Sequence, residues 1–158
     1  MSEEKARLDE LFRASKGAPI EVDGQTVRMS YEVPVGEGEA VGTVSVRGFK
    51  REPVQGICLE MKNGGTLEIN DIRHSGFVFW MDTAPSEIEF GITGVAGSGL
   101  RIWNCWRGKF GERAAWLGSA GLICEPRDYN FYRVSCSDGL GGAEFDAIEF
   151  DFELRRQR

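Results

Sequence analysis

Ile148-Glu149-Phe150-Asp151-Phe152-Glu153-Leu154-Arg155 alternates apolar and charged residues without a break. Successive side chains of a strand point to opposite faces. On a strand, Ile148, Phe150, Phe152 and Leu154 line a core, while Glu149, Asp151, Glu153 and Arg155 meet water. Half-buried strands of this kind belong to antiparallel sheets.

The same period of two runs back towards the N-terminus. Ile20 and Val22 alternate with Glu21 and Asp23, and Asp23-Gly24 is a two-residue hairpin signal. The returning segment carries Val27, Met29, Tyr31 and Val33 on one face, opposed by Thr26, Arg28, Ser30 and Glu32. Val41 to Phe49 is valine-rich and strand-like. Ile57, Leu59 and Met61 alternate with Cys58, Glu60 and Lys62, and Asn63-Gly64-Gly65 predicts a second hairpin that returns through Leu67 and Ile69. Phe77-Val78-Phe79-Trp80-Met81 is apolar throughout, which predicts a strand covered on both faces and central in its sheet. Ile88, Phe90 and Ile92 mark another half-buried strand. Shorter candidates fall at 113–117, 122–125 and 131–136.

Only one stretch has a helical period. Leu8, Leu11 and Phe12 form a short stripe, Ser2 can cap the start, and Gly17 and Pro19 stop it, predicting a helix over 2–16. The stripe suits packing on the body or a homodimer contact. With roughly ten to twelve short strands and turns about every 8–12 residues, the expected fold is all-β. It is a single-domain antiparallel β-sandwich, jelly-roll-like, spanning 1–158, with a closed barrel as the alternative.

The formal net charge of -6 and pI near 4.9 argue against a phosphate-backbone partner or an anionic membrane surface. No apolar run is long enough for a membrane-spanning helix. The charged start, Met1-Ser2-Glu3-Glu4-Lys5, leads into no secretory hydrophobic region. Cys58, Cys105, Cys124 and Cys136 show no C-x-x-C spacing, and no histidine lies nearby to complete a zinc set. Four free thiols in a reducing compartment, hence a cytoplasmic protein, are expected.

Gly99-Leu100-Arg101-Ile102-Trp103-Asn104-Cys105-Trp106-Arg107-Gly108 holds two of the four tryptophans. Leu100, Ile102, Asn104 and Trp106 share one face, a core with one polar residue. Arg101, Trp103, Cys105 and Arg107 share the other. A ring between guanidiniums suits stacking on a sugar or anchoring a protein partner. Arg101, Trp103, Arg107 and Trp116 are therefore the candidate ligand-binding residues, with Trp103 partly exposed. Asp138, Glu144 and Asp146 gather acid near a glycine-rich loop, a pattern that calcium uses.

Catalytic signals are sparse. His74 lies between Asp71 and Ser75, too close in sequence for a converging triad, so a turn is expected there. Cys105, between Arg101 and Arg107, is the one thiol with an electropositive setting. Glu60 with Glu68, and Glu87 with Glu89, are the carboxylate pairs that could serve glycoside hydrolysis. The leading expectation is a non-catalytic binding module for a protein or carbohydrate ligand. A barrel holding a small apolar ligand and a carboxylate-dependent hydrolase are the alternatives.

Overall fold

A computed structural model describes residues 7–156. Among these the chain forms one short helix, α1 (Leu8–Ala14), and fourteen strands. The first seven are β1 (Ile20–Val22), β2 (Gln25–Val27), β3 (Tyr31–Pro34), β4 (Gly38–Phe49), β5 (Gln55–Lys62), β6 (Thr66–Ile69) and β7 (Ile72–His74). Then follow β8 (Gly76–Trp80), β9 (Glu87–Gly94), β10 (Gly99–Arg107), β11 (Arg113–Ala114), β12 (Gly121–Pro126), β13 (Phe131–Ser137) and β14 (Ile148–Arg156). The predicted helix start at Ser2 lies outside the described residues.

The strands form an all-β sandwich. A five-stranded sheet runs β11-β10-β5-β8, with β3 also on β10, and a seven-stranded sheet runs β12-β13-β14-β4-β9-β6-β7. Every pairing is antiparallel, and neither sheet closes on itself, so no barrel forms. The β1–β2 hairpin stands apart as a third, two-stranded sheet.

Register explains the core. In β14, Ile148, Phe150, Phe152 and Leu154 are buried, as their alternation requires, and the charged residues between them lie on the outer face. Opposite them stand Val46 and Val44 of β4 and Cys136, Val134 and Tyr132 of β13. Gly42 has no side chain because Phe90 and Phe152 already occupy the space a Cβ would need. Those rings stack at 6.2 Å. From the other sheet Ile57, Leu59, Leu100 and Ile102 complete one buried cluster. Asn104, the polar residue on that face, donates from Nδ2 to the Ser137 carbonyl at 2.9 Å, tying the two sheets together.

A second cluster joins Leu8 and Phe12 of α1 to Val27 and the neighbouring Ile123. The helix's apolar stripe is thus buried within the chain. Arg28 and Leu122 exchange two backbone hydrogen bonds, so the hairpin segment also shields the edge strand β12.

Two expectations need correction. Asn63-Gly64-Gly65 does turn the chain through left-handed backbone, but β5 and β6 do not form a hairpin. β5 is already flanked by β10 and β8, so β6 crosses to the other sheet and pairs with β9. The apolar run at 77–81 is not central either: β8 pairs only with β5 and is an edge strand, half-buried throughout. Its two apolar faces have separate causes. Phe77 and Phe79 stack on the core side at 6.3 Å, while Arg107 covers Trp80 on the outer side.

Candidate functional site

The outer face of the five-stranded sheet is built around β10. Cross-strand register sets Arg101 opposite Glu60 of β5 and Glu32 of β3, Trp103 opposite Cys58, Cys105 opposite Gly56, and Arg107 opposite Arg113 of β11. Trp103 is 6% exposed, which corrects the expectation of a partly exposed platform. Its cover is Trp116, whose ring stacks on it at 5.4 Å and 24°. Trp116 holds a left-handed φ of 59°. Such backbone costs a non-glycine residue on the order of 1–2 kcal/mol. The stack, together with Trp116 Nε1 donating to the Met29 carbonyl at 2.8 Å, holds it there.

The four predicted residues are therefore not one constellation. Trp103 and Trp116 touch each other, while Arg101 and Arg107 diverge to opposite ends of β10. Arg107 pairs with Asp82 at 2.9 Å and lies over the Trp80 ring at 4.8 Å. Arg101 borders a polar groove of about 380 Å³ shared with Arg28 and Glu32. The carboxylates of β14 belong to other cations. Glu149 and Asp151 hold Arg47, Asp151 also holds Arg133, and Glu153 holds Arg155. A bulge opposite the Glu149–Phe150 step leaves Arg47 as an extra residue on β4, within reach of both acids.

Beyond Arg107 a cleft of about 800 Å³ opens at the β10–β11 end. Val54, Trp106, Leu117 and Leu140 give it an apolar floor, and Arg51, Arg107, Lys109, Glu52 and Glu112 edge it. Leu117 is 59% and Leu140 55% exposed, and Phe110 beside the cleft is 88% exposed. Arg107 is committed to Asp82, and Glu112 accepts the Phe110 N–H. Arg51 and Lys109 have no ion pair among the described residues, and neither do Glu52 and Glu112, so the rim carries free charges of both signs. Nothing in the sequence joined these segments, because 51–54, 106–117 and 140 meet only in three dimensions.

The predicted calcium ligands do not converge. Asp138 is 2% exposed and is taken up by Lys50 Nζ at 2.7 Å, Gln55 Nε2 at 3.0 Å and the Leu140 N–H at 3.1 Å. Glu144 and Asp146 are exposed, and no group of three or more His, Cys, Asp or Glu among the described residues is placed to hold a metal ion. Asp138 instead anchors the loop after β13 to the start of β5. The carboxylate pairs are no closer to a catalytic arrangement. Glu60 and Glu68 lie in different sheets, and Glu68 is held by Arg73 and Glu89 by Arg155. His74 ends strand β7 and does not sit in a turn. Asn70 and Asp71 make the turn, and His74 meets Phe77 edge-on at 5.9 Å.

All four cysteines are free thiols. Burial pushes the Cys124 thiol up to about 12 and Cys136 well above its usual value. Cys58 differs. The adjacent Cys105 thiol and the Arg113 guanidinium favour its thiolate, and its pKa falls despite burial. Cys105 is pushed up by Cys58 beside it and by burial. Sequence reasoning had singled out Cys105 for its flanking arginines. The cation that matters is Arg113 on the neighbouring strand, and the favoured thiolate is Cys58. Comparison with protein-family models, with curated proteins and with solved structures finds no match to this chain.

Proposed function

We propose that the protein is a non-catalytic binding module of a reducing compartment, and that its ligand docks in the cleft at the β10–β11 end. The observation that carries this reading is the cleft itself: about 800 Å³, floored by apolar side chains and rimmed by Arg51, Glu52, Lys109 and Glu112. Ligand sites are typically concave, mostly apolar and marked by a few polar groups. The floor selects an apolar side chain, and the rim offers partners to charges of either sign beside it. A protein segment with a large apolar anchor flanked by charged residues fits both. A sugar is favoured less, because sugars stack on open ring faces and the cleft's own ring, Trp106, is 4% exposed. The four free thiols support the reducing setting.

Panning the full chain against a displayed peptide library and a glycan library tests this. Peptides with an aromatic or leucine flanked by charged residues should be enriched. Leu117→Asp and Lys109→Glu should each weaken the best of them by about tenfold or more. Enrichment of glycans alone, or peptide binding that survives both substitutions, would overturn the reading.

A further inference from the structure

Cys58 and Cys105 lie on adjacent strands of the five-stranded sheet, and both project to its outer face. Cys58 pairs with Trp103 and Cys105 with Gly56, so the thiols are diagonal neighbours. Gly56 provides the room: a Cβ there would stand 2.7 Å from Cys105 Sγ. Arg113, exposed on β11, brings its guanidinium to Cys58. Cys58 also lines a cavity of about 260 Å³ bordered by Ser75, Val78, Trp103 and Arg113. A water occupies about 30 Å³ of liquid volume, so a peroxide has room beside the sulfur.

We propose that Cys58 and Cys105 form a peroxide-reactive dithiol, with Cys58 Sγ as the attacking sulfur and Cys105 as the resolving one. Arg113 argues for an oxidant over a soft metal ion. A guanidinium beside the sulfurs repels a cation, but it stabilises a thiolate and the negative charge that builds on a departing hydroxide. In the first step the Cys58 thiolate attacks one oxygen of hydrogen peroxide. The S–O bond forms, the O–O bond breaks, and hydroxide leaves past Arg113. In the second step Cys105 sulfur attacks the sulfenic sulfur. The S–S bond forms, the S–O bond breaks, and the departing hydroxide takes the Cys105 proton and leaves as water. Two electrons pass from the dithiol to one peroxide. Cys124 and Cys136 are also diagonal neighbours, across β12 and β13, but burial holds both as thiols, so they stay reduced.

Full-length protein treated with equimolar hydrogen peroxide and read by intact and peptide mass spectrometry tests the proposal. The wild type should lose about 2 Da and yield a linked peptide pair containing Cys58 and Cys105. With Cys105→Ala, the sulfenic acid should persist on Cys58 and be trapped by dimedone. Arg113→Met alters an exposed side chain, so the fold is kept, and it should slow oxidation about tenfold. Near-UV circular dichroism checks that each variant is folded. If Cys105→Ala does not fold, the wild-type linkage and the Arg113 rate decide. Oxidation of Cys124 or Cys136 as fast as Cys58, sulfenic acid on wild-type Cys58 without linkage, or an unchanged rate in Arg113→Met would each overturn it.

Discussion

β14 and β10 are equally long strands, each inside its own sheet, yet their outer faces have opposite fates. The outer residues of β14 are charged, half-buried or exposed, and held by Arg47, Arg133 and Arg155. Those of β10 include Trp103 and Cys105, 6% and 0% exposed. Period-two alternation describes a strand with one wet face, and it holds for β14. It fails for β10, because the segment after β11 folds over the sheet and lays Trp116 on Trp103. One face of the sandwich is solvated and the other is a second, thinner layer of packing, and the thiol pair lies beneath that layer.

The sharpest test of this contrast is a pair of truncations. Phe150→Ala and Trp103→Ala should each cost ~3–5 kcal/mol in a urea melt, since both rings are buried. If Trp103→Ala cost under about 1 kcal/mol, the covered outer face would be wrong and an open platform restored.

Trp116 should matter less. Removing the stack and the bond to Met29 should cost about 1–3 kcal/mol. Because its φ of 59° is left-handed, Trp116→Gly should be more stable than Trp116→Ala, by about 1 kcal/mol. Equal thermal stability for the two would mean the left-handed turn does not persist without the ring.

The thiols carry the contrast into pH dependence. Cys124, on the inner wall, has a native pKa of about 12, raised from 9.0 by burial. Between those values the unfolded state has lost the proton and the native state keeps it. Stability must therefore fall as pH rises through this window. Tyr31 and Tyr132, also raised by burial, add the same sign above pH 10.0. Thermal melts from pH 8 to pH 10 should show Cys124→Val losing less stability than the wild type; equal losses would place Cys124 in contact with water.

The smallest effect belongs to the wet face. Glu149→Ala removes one exposed ion pair to Arg47 and should cost no more than about 1 kcal/mol. A loss comparable with Phe150→Ala would mean that the register of β14 is off by one residue.

How much was legible depended on whether the deciding information was local. The burial of Ile148, Phe150, Phe152 and Leu154 was readable, as was the Asp23-Gly24 turn, because alternation and turn chemistry act within a few residues. The role of Asn63-Gly64-Gly65 was only half readable. Its left-handed backbone is local, but whether β6 returns to β5 or crosses depends on β10 and β8, already beside β5. The apolar run at 77–81 misled for a related reason: apolar side chains on both faces also occur at an edge, when one face meets the core and an arginine covers the other. Of the site, Trp103 and Trp116 were named, but their contact was not foreseen. Arg113 could not be linked to Cys58 at all, since β10 lies between their strands.

The amino-acid order by itself determined an all-β antiparallel chain with a short N-terminal helix, the inward face of each half-buried strand and an acidic net charge. These follow from side-chain period, turn residues and charge, which need no partner to act. Only the tertiary structure decided which strands became neighbours, which arginine met which carboxylate or thiol, and which tryptophan was covered. Those outcomes depend on pairings between residues far apart in the chain. In a sandwich each strand's two edges are filled by whichever segments reach them, and no local pattern encodes that choice.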